Sequence, residues 1–170
     1  MQSNYVARHS LHKIGVGGLC IYGNCILFVK HIYGISKGKW TLPGGFLEMG
    51  ETLTQSIERE VLEETGVNTR AKEMFVTRYM VNEKIGKGLI SDLYIVFTLE
   101  YINGEPKADM TEISDAQFIP IAELDKHDIS ELSKYIVSMN LDKSKFNLLP
   151  YQPSTEIEET LNIKEYQLFG

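Results

Sequence analysis

Residues 40–67, WTLPGGFLEMGETLTQSIEREVLEETGV, carry the most restrictive pattern in the chain. The second half reads as a helix with both ends written into it. Thr52 with Gln55 three residues on forms a capping-box pair, and Gly66 suits the position just past a helix end. At about 100° per residue, Leu53, Ile57 and Val61 share one arc of that helix. Glu60, Glu63 and Glu64 occupy the neighbouring arc, because spacings of three and four bring side chains together. A helix with one apolar stripe has to be laid against another layer. The flanking sequence says which kind.

On both sides of the helix the period changes from helical to alternating. HKIGVGGLCIYGNCILFVKHIY reads as two strands around a Gly23-Asn24 turn, rich in β-branched and aromatic residues. AKEMFVTRYMVN and LISDLYIVFTLEYI read as a hairpin joined by EKIGKG, and AQFIPI as a short extended segment. IAELDKHDISELSKYIVSMN holds a second helix, with Ile129, Leu132, Ile136 and Met139 spaced for one buried face. Strands interleaved with two helices predict an α/β fold, a mixed sheet between helices. The strong signal ends near Asn140. This predicts a main domain over residues 1–140 and a tail over 141–170 that packs on the domain or on a partner subunit. In the tail, TEIEETLNIKEYQLFG reads as a short terminal helix capped by Thr155 and Glu158. Its apolar residues, Ile157, Leu161, Ile163, Tyr166 and Leu168 among them, are too many for a free solvated end.

The three helix carboxylates need a reason. Like charges at these spacings cost a few tenths of a kcal/mol each, and they sit toward the helix C-terminus, where the macrodipole disfavours anions. One reading is a solvated acidic face. The other is a divalent cation, since Mg²⁺ takes oxygen ligands and commonly shares its shell with substrate phosphates.

The surrounding residues bear on the choice. Gly45, Glu51, Arg59, Glu60, Val61, Glu63, Glu64, Gly66 and Val67 stand at the separations of the signature box of the Nudix hydrolases, without a gap. The chain resembles that family over the box and, in its order of strands, from roughly residue 12 to 140. The resemblance implies an α/β/α sandwich with a mixed β-sheet. It also implies metal-dependent hydrolysis, with Mg²⁺ or Mn²⁺, of the diphosphate linkage in a nucleoside diphosphate derivative. Carried over position by position, Glu60 and Glu64 resemble metal ligands, Glu63 a further ligand or the base that deprotonates water, and the carbonyl of Gly44 a backbone ligand. Glu51 and Arg59 resemble a structural pair that locks the loop against the helix. Glu112, six residues ahead of Phe118 in a loop, stands where some relatives carry a ligand or general base. Asp109 and Asp115 compete for that role.

The chemistry needs such a set. A diphosphate repels an attacking water's electrons, a metal ion neutralises it and acidifies the water, and a carboxylate accepts the proton. For substrate contact, Arg78 is a candidate phosphate partner, and Tyr33, Trp40, Tyr79 and Tyr94 are aromatic candidates for gripping a base. Each aromatic also serves as an ordinary core or hairpin residue. Subgroup markers outside the box are missing, including the proline expected about sixteen residues past it in ADP-ribose-type members, where Val81, Asn82 and Glu83 stand. The sequence therefore reads as a nucleotide or nucleotide-sugar pyrophosphatase without a narrower substrate.

Net charge bounds the partners. At −6 the chain lacks the basic footprint of a nucleic-acid binder. MQSNYVARHS has no apolar core and no apolar run approaches the ~18 residues of a membrane span, so a cytoplasmic protein is expected. Cys20 and Cys25 read as reduced strand residues rather than a disulfide framework. The partner is a small nucleoside diphosphate derivative, with a homodimer expected from the family likeness. Two rival functions remain. A nucleotide-binding sensor without turnover would not need all three helix carboxylates. A prenyl-diphosphate isomerase would want a Cys and a Glu in one deep apolar site.

Overall fold

The computed structural model describes residues 11–84, 88–142 and 153–169. Eight strands form one mixed sheet: β1 Leu11–Tyr22, β2 Cys25–His31, β3 Trp40–Thr41, β4 Gly44–Phe46, β5 Asn68–Lys84, β6 Gly88–Asn103, β7 Ile113–Pro120 and β8 Ile163–Phe169. The main path runs β3-β2-β1-β6-β5-β8, with β4 added to β1 and β7 to β2. β1 and β6 run parallel, Leu11–Cys20 against Ile90–Leu99. The other named strand pairs are antiparallel.

β1 is the hinge of this arrangement. Its last residues, Ile21 and Tyr22, pair with β2 across the Gly23-Asn24 turn. Its middle residues, Gly15 to Gly17, pair instead with β4. The short β4 therefore enters beside the sheet and delivers Gly44 and Gly45 directly under the first helix.

That helix, α1, spans Leu53–Thr65. Thr52 is its N-cap. The Thr52 side chain accepts from the Gln55 backbone N–H at 3.2 Å, and Gln55 Oε1 accepts from the Thr52 N–H at 2.9 Å. Gly66 closes the helix at φ 69°, a left-handed conformation that glycine adopts without steric cost, and its N–H reaches the Leu62 carbonyl at 2.8 Å. Ile57 and Val61 are fully buried against Val16, Cys20, Leu27, Val67, Ile95 and Phe97, with Leu53 half-buried beside them. Ile57→Ala should cost about 2–5 kcal/mol, read as a lower urea midpoint at unchanged slope.

α2, Glu131–Leu141, covers the other face. Ser130 caps it by accepting from the Ser133 N–H at 3.3 Å. Ile136, Val137 and Met139 join Leu19, Ile26, Phe28, Trp40, Val76 and Val96 in the second core. Helix on sheet on helix is the α/β/α sandwich expected from the sequence. Leu132 is only half-buried, and Ile129 reaches the core from just before the helix, bridged to Trp40.

The tail corrects one expectation. The helix there, α3, is confined to Thr155–Leu161, and its N-cap is Ser154 rather than Thr155. Asn162 stops it at φ 50°, after which Ile163–Phe169 becomes a strand. β8 runs antiparallel along the outer edge of β5, Leu168 opposite Arg78 and Tyr166 opposite Met80. Its Ile163, Tyr166 and Leu168 are half-buried there. Further apolar residues of the tail, Phe146, Leu148 and Leu149, lie outside the described residues, as does the middle of the EKIGKG turn.

Candidate active site

The site grows from the contact between α1 and β4. Glu64 is buried, and its Oε2 accepts the Gly44 N–H at 2.8 Å. Burial pushes its carboxyl from the ordinary 4.5 up to about 8; the Gly44 bond pulls it down, and the charges of Glu60, Asp109 and Glu112 push it up again. Burial also raises Glu60, with Arg59 opposing and Glu63 and Glu112 adding to the rise. The Glu60 carboxylate lies so close to the backbone of Gly45 that an added Cβ there would stand 2.3 Å from its carboxyl carbon. A side chain at 45 would therefore displace the end of the Glu60 side chain from its place beside the loop. Glu63, on the same helix edge, points outward, its side chain 61% exposed.

Arg59 organises the rim. Its Nε donates to Glu51 Oε1 at 2.6 Å and its Nη2 to Glu51 Oε2 at 3.1 Å, a two-point pairing of guanidinium and carboxylate. Nη2 also reaches the Phe46 carbonyl at 3.2 Å, which fastens the loop after β4 to α1. Nη1 touches Glu60 Oε1 and Glu63 Oε2, both at 3.0 Å. The expected lock between Glu51 and Arg59 is thus present, and the same cation also spans two of the three helix acids. The Arg59 hydrogen bond to Glu51 holds that carboxyl down at about 2.

Whether these residues suit a divalent ion can be judged from their chemistry. Three carboxylates crowd one helix edge, and two of them are driven toward protonation by burial and mutual repulsion. A hard cation relieves both effects, so the donor set fits Mg²⁺ or Mn²⁺. Among the described residues, no three acidic, histidine or cysteine side chains are grouped closely enough to hold an ion as they stand. Arg59 occupies Glu60 and Glu63 instead, so those two carboxylates would have to turn from it to hold an ion.

Glu112 sits in the loop before β7 and is exposed. Its charge is felt at Glu60, Glu64 and His31, so it belongs to the same side of the molecule. Asp109 shapes that loop by accepting from the N–H groups of Thr111 (2.9 Å), Glu112 (3.1 Å) and Ile113 (2.9 Å). Burial raises the Asp109 carboxyl, but the Thr111 hydroxyl, donating at 2.6 Å, and these N–H bonds together bring it below its ordinary value. Asp115 accepts from Gln117 Nε2 at 2.7 Å.

From Gly44 a cavity of about 250 Å³ runs between β5, β6, α2 and α3. His31, Lys39, Arg78, Tyr94 and Ser133 supply its polar wall. His31 Nε2 and Thr41 Oγ1 are 2.8 Å apart at the edge. Arg78 pairs with Asp92 and lies over the Tyr94 ring, 5.2 Å from its centroid. Burial pushes the Tyr94 hydroxyl up to about 12, against the pull of Arg78. Alternation along β5 separates the two expected substrate residues. Arg78 faces the cavity, whereas Tyr79 does not line it and sits 3.1 Å from Ser91 Oγ. Trp40 is buried in the core and Tyr33 is exposed. His31, Lys39 and Ser133 carry no sequence signal: they come from β2, the loop before β3 and α2, and no spacing links them.

Comparison with known proteins agrees with this geometry. The NUDIX domain model matches residues 11–138. An ADP-ribose pyrophosphatase of Methanocaldococcus jannaschii is 35% identical over 120 residues, which cover 70% of this chain and 69% of that protein. Nudix hydrolase 8 of Arabidopsis thaliana is 34% identical over 125 residues, 72% of this chain but only 33% of that longer protein. A crystal structure of a NUDIX hydrolase from Nitrosomonas europaea superposes with a TM-score of 0.64 at 23% identity, covering 85% of this chain and 78% of that one. With the box, the sheet that presents it and the matched span all in agreement, the chain belongs to the NUDIX domain family.

Proposed function

We propose that the protein is a metal-dependent pyrophosphohydrolase that cleaves the diphosphate linkage of a nucleoside diphosphate derivative by attack of water at phosphorus. The observation that carries this reading is the buried Glu64 carboxylate, held by the Gly44 N–H at the head of a cavity of about 250 Å³. The relative named for ADP-ribose hydrolysis points the same way. Glu60, Glu63, Glu64 and the Gly44 carbonyl are the residues that would hold Mg²⁺ or Mn²⁺. When bound, the ion supplies neutralisation of the phosphate oxygens and a more acidic water.

The chain's own residues do the rest. Glu112 accepts the water's proton, with Glu63 as the alternative base. Arg78 offers the one guanidinium among the described residues of the cavity wall for the anionic substrate, and Tyr94 rather than Tyr79 provides the aromatic surface beside it. Arg59, through Glu51 and the Phe46 carbonyl, fixes the loop against α1 so that Gly44 and Glu64 keep their register. A sensor without turnover is the lesser reading, because binding alone does not require three carboxylates on one helix edge.

The test is product release from ADP-ribose, UDP-glucose and nucleoside triphosphates, with and without Mg²⁺. Failure on every member of that panel would leave the sensor reading. Metal binding has a separate readout. Mg²⁺ should raise the Tm of the parent more than that of Glu60→Gln, since a ligand of the native state stabilises it by mass action. Equal shifts would place the ion elsewhere.

The setting follows from the same likeness. A cytoplasmic enzyme is consistent with two free cysteines, Cys20 and Cys25, the former pushed up to about 12 by burial and so kept as an unreactive thiol. No described helix is long and apolar enough to cross a membrane. We also propose a homodimer and a main domain ending near Asn140. Sizing of the intact protein and of a chain ending at Asn140 tests both.

A further inference from the structure

Tyr94 brings a hydroxyl to the cavity as well as a ring. In the sheet it stands between Gly15 of β1 and Arg78 of β5, its partners on either side. The Arg78 guanidinium lies over the ring, 5.2 Å from its centroid. The ring leans along β1 from Gly15 to Gly17. A Cβ added at Gly15 would stand 3.0 Å from Tyr94 Cδ2, and one added at Gly17 would collide with the hydroxyl oxygen. Two residues without side chains thus make room for the ring and leave its hydroxyl over Gly17. Gly17 is in turn the β1 partner of Gly44, whose N–H binds Glu64. The register therefore carries the hydroxyl across β1 toward the acidic centre, at the end of the cavity that Tyr94 and Gly44 both line.

That hydroxyl is free to meet a ligand. Tyr94 is half-buried, no hydrogen bond to a described residue occupies its oxygen, and the oxygen is not sealed in the way that Arg78 Nε is. Burial pushes the hydroxyl up to about 12, the charges of Glu64, Asp92 and Glu60 add to the rise, and Arg78 opposes it. It keeps its proton through the neutral range, so toward an anion it acts as a donor. The site thus divides by chemistry. Glu60, Glu63 and Glu64 gather on the α1 edge, while Arg78, Lys39 and Tyr94 line the cavity, and Gly44 belongs to both. In an in-line displacement the leaving oxygen departs opposite the entering water. The acids serve the entering side, which gives the donors of the cavity wall to the leaving side.

We infer that the Tyr94 hydroxyl is a catalytic donor: it hydrogen-bonds an oxygen of the leaving phosphate, beside the Arg78 guanidinium, and this bond strengthens as the bridging P–O bond breaks. The inference rests on the proposed pyrophosphohydrolase reading. In that step the water oxygen bonds to phosphorus and its proton passes to the carboxylate base. The electron pair of the broken bond stays on the bridging oxygen, which leaves with its phosphate. Tyr94 shares its proton with the leaving phosphate and does not give it up. A donor aimed at charge that grows in the transition state acts on rate more than on binding.

Tyr94→Phe tests this, because it removes the oxygen and keeps the ring that fills the groove and stacks on Arg78. The variant should melt with the parent. Its kcat should fall about 10- to 10²-fold, the range for one hydrogen bond to a charged oxygen, while KM changes less than about threefold. A fall in kcat of less than about threefold, or a rise in KM with kcat intact, overturns the donor. A second readout needs no turnover. In the Mg²⁺-loaded full chain carrying ¹³Cζ-labelled tyrosine, the Tyr94 resonance is the one missing from Tyr94→Phe. Saturation with methylene-bridged, non-cleavable ADP-ribose should shift it, since the analogue keeps the outer phosphate oxygens. An unmoved resonance overturns the contact even where the parent turns over. A shifted resonance in a parent that releases no product from any cleavable compound supports the contact and counts against hydrolysis instead.

Discussion

Glu64→Gln is expected to lose at least about 10²-fold in kcat at saturating Mg²⁺ while keeping its fold. The size follows from the ion's contribution to a phosphoryl transfer, several kcal/mol of charge stabilisation at 1.36 kcal/mol per factor of ten. The fold survives because glutamine has the same shape and its amide oxygen can still accept the Gly44 N–H, a 2.8 Å bond in the parent. Stability in the metal-free protein should move the other way. The folded-state carboxyl of Glu64 is raised from 4.5 to about 8, chiefly by burial. A raised carboxyl pKa means that the folded state holds its proton more tightly than the unfolded chain. Its stabilising share is therefore complete below about pH 4.5 and is lost as pH climbs to about 8. In EDTA the parent should fall in Tm across that window relative to Glu64→Gln, which has no proton to lose. Added Mg²⁺ should reverse the order at pH 8. Undiminished turnover in the variant would remove Glu64 from the metal set. A parallel pH course of the two proteins in EDTA would mean that burial does not govern this carboxyl.

The contrast between Glu64 and Glu63 marks where sequence stops informing. The helix, its two caps, the Ile57–Val61 stripe and the Glu51–Arg59 lock were legible because each depends on residues within one or two turns or on fixed box spacing. The helical wheel puts Glu63 and Glu64 side by side, yet one is exposed and the other buried. That difference is set by β4, which the chain threads between β1 and α1, and no local period encodes it. The arc also conceals that Arg59 already bridges Glu60 and Glu63. Distance in sequence hides the cavity in the same way: Arg78 and Tyr94 were visible as residue types, but only the β5–β6 register brings them together and turns Tyr79 away.

The tail shows the physical limit from another direction. IKEYQLF is too short to declare itself, and it follows a helix whose acidic residues invite continuation. It becomes a strand because Asn162 takes the left-handed conformation and because the edge of β5, eighty residues earlier, has unpaired backbone groups to satisfy. Lys164 and Asn162 then tie it to Glu83 through contacts of 3.2 Å and 3.4–3.5 Å. The consequence is functional: a segment outside the family's matched span supplies Ile157 and Leu161 to the cavity.

Glu112→Gln is the second large effect, expected to slow kcat by roughly 10²-fold or more with little change in KM, as for loss of a general base. Glu112 suits that task by position and by exposure, with the Tyr33 side chain as its hydrogen-bond partner. Its loop is fixed from below, where Asp109 accepts the backbone N–H groups of Thr111, Glu112 and Ile113. Its side chain is exposed, and so able to reach a water, while its charge still acts on Glu60 and Glu64. Removing that charge eases proton loss from Glu64 but also removes some attraction for the cation, so metal affinity should change little even as turnover falls. This split separates a base from a ligand: a lost ligand weakens Mg²⁺ binding and turnover together. The measurement is single-turnover hydrolysis across pH with Mg²⁺ affinity determined in parallel. If kcat falls by less than about threefold, the base role passes to Glu63. If Mg²⁺ affinity drops along with kcat, Glu112 is a ligand, and proton transfer falls to Glu63 in that case as well.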